Sequence, residues 1–229
     1  MKIILTGTTG FVGTEVLTQC LSQPAIKSIV VLSRRPIDSV IHSKLKVVIL
    51  EDFAVYGEEV LKDLEGAEAC IWNIGITPRK NDPSNPEHLR RVSVDYTLAA
   101  ARAFTSSSAP SVPGNQKFRF IYTSGYLTER NQDQSLWFAG DFRKLRGDVE
   151  NKLIDFEEKH PDAFEAVILK PGRVLGKNNL IPQALLGFTK SLRVNTLAAA
   201  MVDLALNGRR GKQTLEVADI EERSRAARE

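Results

Sequence analysis

Residues 3–13 read IILTGTTGFVG. Ile3, Ile4 and Leu5 form a short apolar run of the kind that builds a buried strand ending at Thr6. Glycines follow at positions 7, 10 and 13, and from Phe11 to Ser22 the apolar residues Val12, Val16, Leu17 and Leu21 recur with helical spacing. A G-x-x-G-x-x-G run gains chemical meaning when it lies between a strand and a helix, as it does here. Each glycine then has a separate steric task. Gly7 permits the tight turn after the strand. Gly10 lets the backbone approach a pyrophosphate with no Cβ in the way. Gly13 lets the helix pack closely on the strand. The first helical N–H groups lack intrahelical partners and carry the positive end of the helix dipole, which suits phosphate. Residues 7 and 9–13 (Gly7, Thr9, Gly10, Phe11, Val12, Gly13) are therefore the first candidates for binding a dinucleotide.

The next strand, Ser28–Ser33, ends in Ser33-Arg34-Arg35. An acidic residue at this position would favour the ribose 2′-hydroxyl of NAD. Two guanidinium groups instead match a 2′-phosphate in charge and shape, which predicts NADP(H) as cofactor.

Outward from this unit the two periods alternate. Strands are predicted at Lys46–Leu50, Ala67–Trp72, Phe118–Thr123 and Phe164–Lys170, with a short final one at Gln213–Val217. Helices are predicted around Val60, Leu61 and Leu64, over Pro86–Phe104 and Ala139–Lys159, and over Leu197–Leu206. Ser106–Gly114, rich in Ser and Pro, reads as a surface loop, and Arg223–Arg228 as a solvated or frayed terminal helix. Repeated βαβ units give a Rossmann-type α/β fold: a doubly wound parallel sheet with helices on both faces, spanning 1–229 as one domain. The less regular stretch 177–193 is expected to form a small substrate lobe.

Composition narrows the partners. A formal net charge of +3 without a concentrated basic stripe argues against nucleic acid. No apolar stretch approaches a membrane span, and the opening MKIILTGTTG is not a secretion signal, so a cytoplasmic protein is expected. Cys20 and Cys70 lie in apolar contexts and read as small buried hydrophobes. His42, His88 and His160 show no ligand spacing, so no metal is expected.

Several further segments, taken with TGTTGFVG, make the chain resemble the short-chain dehydrogenase/reductase superfamily. The similarity is to its extended and atypical branches, which include epimerase/dehydratase-like proteins. Those segments are Glu51-Asp52-Phe53, Asn73-Ile74-Gly75, Val94-Asp95-Tyr96 and Lys170-Pro171-Gly172-Arg173-Val174-Leu175-Gly176. The resemblance implies that Asp52 and Phe53 border the adenine and that Asn73, Ile74 and Gly75 line the adenosine ribose. It places Pro171, Gly172, Arg173 and Val174 near the nicotinamide. It also makes the two long helices a place where a homodimer would form.

The same resemblance implies a catalytic Tyr with a Lys four residues later on one helical face. That pair is missing. The residues four positions after Tyr56, Tyr96, Tyr122 and Tyr126 are Val60, Ala100, Tyr126 and Arg130. In the long helix Phe142 takes the Tyr position and Arg146 the Lys position. Phe has no titratable proton, and Arg stays charged but can still donate to ribose hydroxyls. The remaining candidates are Ser124 and Tyr126, just beyond the fifth strand, with Trp137 and Phe138 as residues to line an apolar pocket. Two functions follow: an NADP(H)-dependent oxidoreductase for a small carbonyl or alcohol with a rearranged acid, or a non-redox protein on the same scaffold. The second would be an isomerase, a cyclase or an NADP(H) sensor.

Overall fold

Side chains of successive strand residues point to opposite faces of a sheet, and here both sets are apolar. In β1 (Lys2–Thr6), Ile3 and Leu5 enter one core and Ile4 the other. In β2 (Ser28–Ser33), Ile29 and Val31 face the first core, and Val30 and Leu32 the second. A sheet buried on both faces must be covered on both, and parallel strands joined by helices provide the cover. The computed structural model describes residues 1–37, 40–77, 82, 84–108, 117–178 and 190–227.

The remaining strands are β3 (Leu45–Ile49), β4 (Ala69–Trp72), β5 (Phe118–Thr123), β6 (Phe164–Leu169), β7 (Arg173–Leu175), β8 (Ser191–Arg193) and β9 (Thr214–Leu215). The helices are α1 (Phe11–Ser22), α2 (Glu58–Leu64), α3 (Pro86–Arg90), α4 (Tyr96–Ser108), α5 (Gly140–Lys159), α6 (Val194–Asn207) and α7 (Val217–Ala226). The main sheet has the order β3-β2-β1-β4-β5-β6-β9 and all its pairings are parallel. This is a Rossmann-type doubly wound sheet. Chain order reverses between β1 and β4, and such a crevice is where ligands of open α/β sheets bind. Helices α1, α6 and α7 cover one face; α2, α4 and α5 cover the other.

The second core is aromatic. Trp72 is wholly buried, with Phe53 edge-on at 6.0 Å and Phe120 at 5.8 Å, and Phe120 meets Phe164 at 5.8 Å. Burial pushes the Cys20 thiol up to about 12 and holds that of Cys70 well above its ordinary value.

Several predicted elements change. Pro86–Phe104 is not one regular helix: a π-helical stretch, Arg91–Asp95, separates α3 from α4. The helix also runs on to Ser108, into the predicted loop. Hydroxyl groups hold that extension, since Thr105 donates to the Ala101 carbonyl at 2.7 Å and Ser107 to that of Ala103 at 2.9 Å; residues 109–114 lie outside the described residues. Most of the predicted lobe, 179–189, also lies outside them. Its described flank, Ser191–Arg193, pairs in parallel with Arg173–Leu175. The terminal helix is docked rather than frayed: Glu216 and Asp219 form a capping box, Ile220 is buried, and Arg223 pairs with Asp203 while donating to the Gly208 carbonyl at 2.6 Å.

Gly147 shows how closely α5 lies on its neighbours, because a Cβ there would sit 1.7 Å from the Glu129 carbonyl oxygen. Gly147→Ala is expected to lower stability in urea unfolding by roughly 2–3 kcal/mol, the cost of overpacking a rigid site. Gly176→Ala, which meets nothing within 4 Å, should change it by less than about 0.5 kcal/mol.

Candidate functional site

The crevice begins at the glycine loop. Gly7 adopts φ +65°, and a Cβ on it would lie 2.6 Å from the Asn73 carbonyl oxygen. The tight turn therefore also brings the ends of β1 and β4 together. Gly10 N donates to Gly7 O at 2.9 Å, and Gly10 is the N-cap of α1 with no side chain capping the helix. Thr14 donates its hydroxyl back to the Thr8 and Gly10 carbonyls, each at 2.9 Å. A Cβ on Gly13 would fall 2.1 Å from Gly7 O, whereas one on Gly10 would meet only that same oxygen, at 3.2 Å. Position 13 is closed by the fold itself, while position 10 is open apart from one contact. Thr9 and Phe11 are exposed beside it and Val12 is half-buried.

Beyond β2, Ser33 is buried and its Oγ accepts from the Arg35 amide at 3.2 Å. The Arg34 and Arg35 side chains are exposed, and neither makes an ion pair among the described residues. After β3, Asp52 accepts from the Ala54 amide at 3.0 Å and pairs with Arg91 at 2.8 Å. The Ala54 amide first, and then Arg91, hold its carboxyl below the usual range. Phe53 stands apart from the other expected lining residues: its ring is buried among Trp72 and Tyr96, so only its backbone is left to border a ligand.

Asn73 joins the strands. Its amide donates to Thr6 Oγ1 at 3.1 Å, and its Oδ1 accepts from Thr123 Oγ1 at 2.6 Å. Its Nδ2 is buried without a hydrogen-bond partner among the described residues. Ile74 is half-buried and Gly75 exposed. Arg146 reaches the same place from α5. Its Nη2 donates to the Thr123 carbonyl at 3.0 Å and its guanidinium lies 5.8 Å from the centre of the Phe142 ring. A Cβ on Gly75 would be 3.8 Å from Nη1, and one on Gly125 3.8 Å from Nε. Nε is buried and has no hydrogen-bond partner among the described residues.

Ser124 and Tyr126 part company. Ser124 is buried, and its hydroxyl is bonded to the Glu150 carboxylate and lies 3.1 Å from Thr128 Oγ1. Tyr126 is 38% exposed; its amide donates to the Pro171 carbonyl at 3.1 Å, and the Lys190 ammonium lies 5.1 Å from its ring centre. Pro171 is thereby tied to the loop beyond β5. Gly172 lies against Lys190, where a Cβ would be 1.8 Å from its carbonyl, and the Arg173 amide donates to that carbonyl at 2.9 Å. Arg173 is exposed and Val174 half-buried, both within β7. Trp137 and Phe138, expected to line an apolar pocket, are instead 96% and 56% exposed, their rings tilted at 45° to each other with centres 5.8 Å apart.

Glu150 is the residue that sequence reasoning passes over. Wholly buried, it receives Ser124, Arg130 Nε at 2.6 Å and, at 3.8 Å, Lys170. Arg130 also donates to Thr214 at 2.6 Å, and Lys170 to the Thr128 carbonyl at 3.2 Å. A signal was present, since Glu150 lies between the apolar Val149 and Leu153 and stands four and eight residues after Arg146 and Phe142.

No model of a known protein family matches the chain. It is 37% identical over 125 residues to leucinostatins biosynthesis cluster protein T of Purpureocillium lilacinum; the match takes in 54% of this chain and only 42% of that protein. It is 24% identical over 204 residues to protein FMP52, mitochondrial, of Candida albicans, covering 83% of this chain and 77% of that one. A short-chain dehydrogenase of Burkholderia cenocepacia, solved with NADP, superposes with a TM-score of 0.70 at 15% identity, over 99% of this chain and 93% of its own. The dTDP-glucose 4,6-dehydratase of Streptomyces venezuelae, solved with NAD, gives 0.68 at 15% identity over 95% and 75%. The fold is that of the short-chain dehydrogenases/reductases and the sugar-nucleotide dehydratases. Among the described residues no helix is long and apolar enough to cross a membrane.

Removing Glu150 strands two cations inside the network. Glu150→Ala is expected to cost about 3–5 kcal/mol in urea unfolding, as for other broken buried pairs. Ser124→Ala, which removes one neutral donor, should cost only about 1–2 kcal/mol.

Proposed function

We propose that the chain is an NADP(H)-binding, atypical short-chain dehydrogenase/reductase-like protein acting on a small organic carbonyl or alcohol. The observation that carries this reading is the glycine cradle. Of the three glycines, position 10 alone leaves a side chain room, with one contact at 3.2 Å to the Gly7 oxygen, while positions 7 and 13 are filled by the protein's own backbone. A pyrophosphate fits that opening, and the uncapped N-terminus of α1 supplies N–H donors to it.

The other residues fit the rest of a dinucleotide. Arg34 and Arg35, which form no ion pair among the described residues, offer guanidinium groups to a 2′-phosphate. Asn73 Nδ2 and Arg146 Nε are buried donors in need of acceptors, and ribose and carboxamide oxygens are acceptors. Ile74, Gly75, Pro171 and Val174 form the remaining lining. A nicotinamide bound there supplies the hydride donor or acceptor.

The chain's own chemistry in this reading is limited. Arg146 donates hydrogen bonds and a fixed charge but cannot exchange a proton at ordinary pH. Phe142 gives it a ring to lie on. Tyr126, at the rim and anchored to Pro171, is the remaining hydroxyl with access to the cleft. Ser124 acts at one remove, by holding Glu150. The loss of the Tyr–Lys pair keeps a second reading open, a non-redox isomerase, cyclase or NADP(H) sensor. A cytoplasmic location accompanies both; the Candida albicans relative is named as mitochondrial, and cell fractionation decides the matter.

Calorimetry should give a lower Kd for NADP(H) than for NAD(H). Arg34→Ala should weaken NADP(H) about tenfold or more, the range of a charge-assisted pair, and leave NAD(H) nearly unchanged. Equal affinities in the native protein would defeat the cofactor assignment. Gly10→Val should remain folded by circular dichroism and lose dinucleotide binding; normal binding would mean the phosphates lie elsewhere. Stopped-flow absorbance of NADPH against a panel of aldehydes, ketones and enones then separates the two functions. Steady consumption by the native protein excludes the non-redox reading, and Tyr126→Phe should lower that rate by about 10²–10⁴-fold if Tyr126 is the acid.

A further inference from the structure

We propose that the Arg146 guanidinium is the recognition point for a carboxylate on the protein's small-molecule ligand. The proposal rests on the dinucleotide reading above and names the substrate class for the same cleft. A half-buried cation is costly unless it is paired. Arg146 has no carboxylate within ion-pair distance among the described residues. Among the described residues its one hydrogen bond goes to a neutral carbonyl, that of Thr123, and the ribose and carboxamide oxygens that would receive its Nε are neutral as well, so the guanidinium charge has no counter-charge. The acid one turn along the helix, Glu150, is already engaged by Arg130, Lys170 and Ser124. The protein therefore supplies the positive partner of an ion pair and leaves the negative one to a ligand.

The cofactor's pyrophosphate does not answer this need. It belongs at the glycine loop beyond β1, whereas Arg146 lies between Gly75 and Gly125, beyond β4 and β5. Adjacent strands are about 4.8 Å apart, so the two places differ by roughly one to two strand widths. The planar fork of an arginine matches the two coplanar oxygens of a carboxylate. The Phe142 ring lies beside the guanidinium, its centre 5.8 Å from the central carbon.

The test uses the full chain with saturating NADP+, whose own binding is measured first. Benzoate and butyrate are then titrated calorimetrically against benzamide and butyramide, with phenylphosphonate as a third head group. The carboxylates should bind at least tenfold more tightly than the amides. Arg146→Met, checked for folding by circular dichroism, should abolish that preference, and Arg146→Lys should keep part of it. Equal binding of acid and amide, no saturation by either carboxylate at about 10 mM, or an unchanged preference in a folded Arg146→Met overturns the proposal. Tighter binding of phenylphosphonate than benzoate also overturns it, in favour of a phosphoryl group. Failure of NADP+ to bind is a separate result that removes the dinucleotide reading; the acid–amide comparison is then made on the protein alone by the same criterion.

Discussion

The Gly7 carbonyl oxygen leaves no space for a side chain at position 13, where a Cβ would approach to 2.1 Å, and Gly7 itself abuts the Asn73 carbonyl. This double contact sets the start of α1 directly over the end of β1 and presses β1 against the end of β4. The rest of the crevice depends on it. With α1 fixed there, Val16, Leu17 and Cys20 enter the first core beside α6. With β4 fixed there, Asn73 reaches both Thr6 and Thr123 and ties three strand ends together. A methyl group at either glycine would displace a backbone, and no flexible side chain is available to move instead.

A second constraint acts at the far side of the crevice. Glu150 gathers the loop after β5, the end of β6 and, through Arg130 and Thr214, the edge strand β9. A buried carboxylate with fully occupied oxygens is a directional fastener, because each contact fails if α5 slides or rotates. Arg146 stands one turn before Glu150 on that helix. Its position between Gly75 and Gly125 is thus a consequence of the buried network, and the same network engages the acid one turn along α5.

The strands are legible in the sequence because they are buried on both faces and so read as unbroken apolar runs, as in SIVVLS at 28–33 and FEAVIL at 164–169. The glycine loop is legible because steric exclusion selects one residue type at fixed spacing. What remains hidden is of two kinds. The π-helical stretch at Arg91–Asp95 carries no pattern of its own, because RVSVD fits a regular helix equally well by propensity. The β7–β8 pair and the Glu150 network depend on contacts between residues far apart in the chain, and a single charged residue in a long helix reads first as solvated. The exposed Trp137 and Phe138 show the opposite failure: residue type suggests burial, and the loop before α5 turns them outward.

Under the proposed reading Phe142 and Arg146 stand in place of a Tyr–Lys pair, which separates two properties that the pair would combine. The positive charge and the packing against the β5 end are kept, since Arg146 still reaches the Thr123 carbonyl and Phe142 is still buried. Proton exchange is lost, because neither group titrates in the working range. A missing general acid is worth about 10²–10⁴-fold in rate, which binding at the same place cannot restore unless another hydroxyl takes over. Ser124 is buried and bonded to Glu150, so under that reading Tyr126 is the hydroxyl proposed as the acid. Tyr126 comes from a loop whose position is set by its amide bond to Pro171 and by Lys190 over its ring. An acid placed this way depends on the segment after β6 as well as on β5. Oxidoreductase chemistry in this protein would therefore be sensitive to how the chain around β7 and β8 is held, whereas a binding or sensing role would need only the glycine cradle and the fixed charge of Arg146.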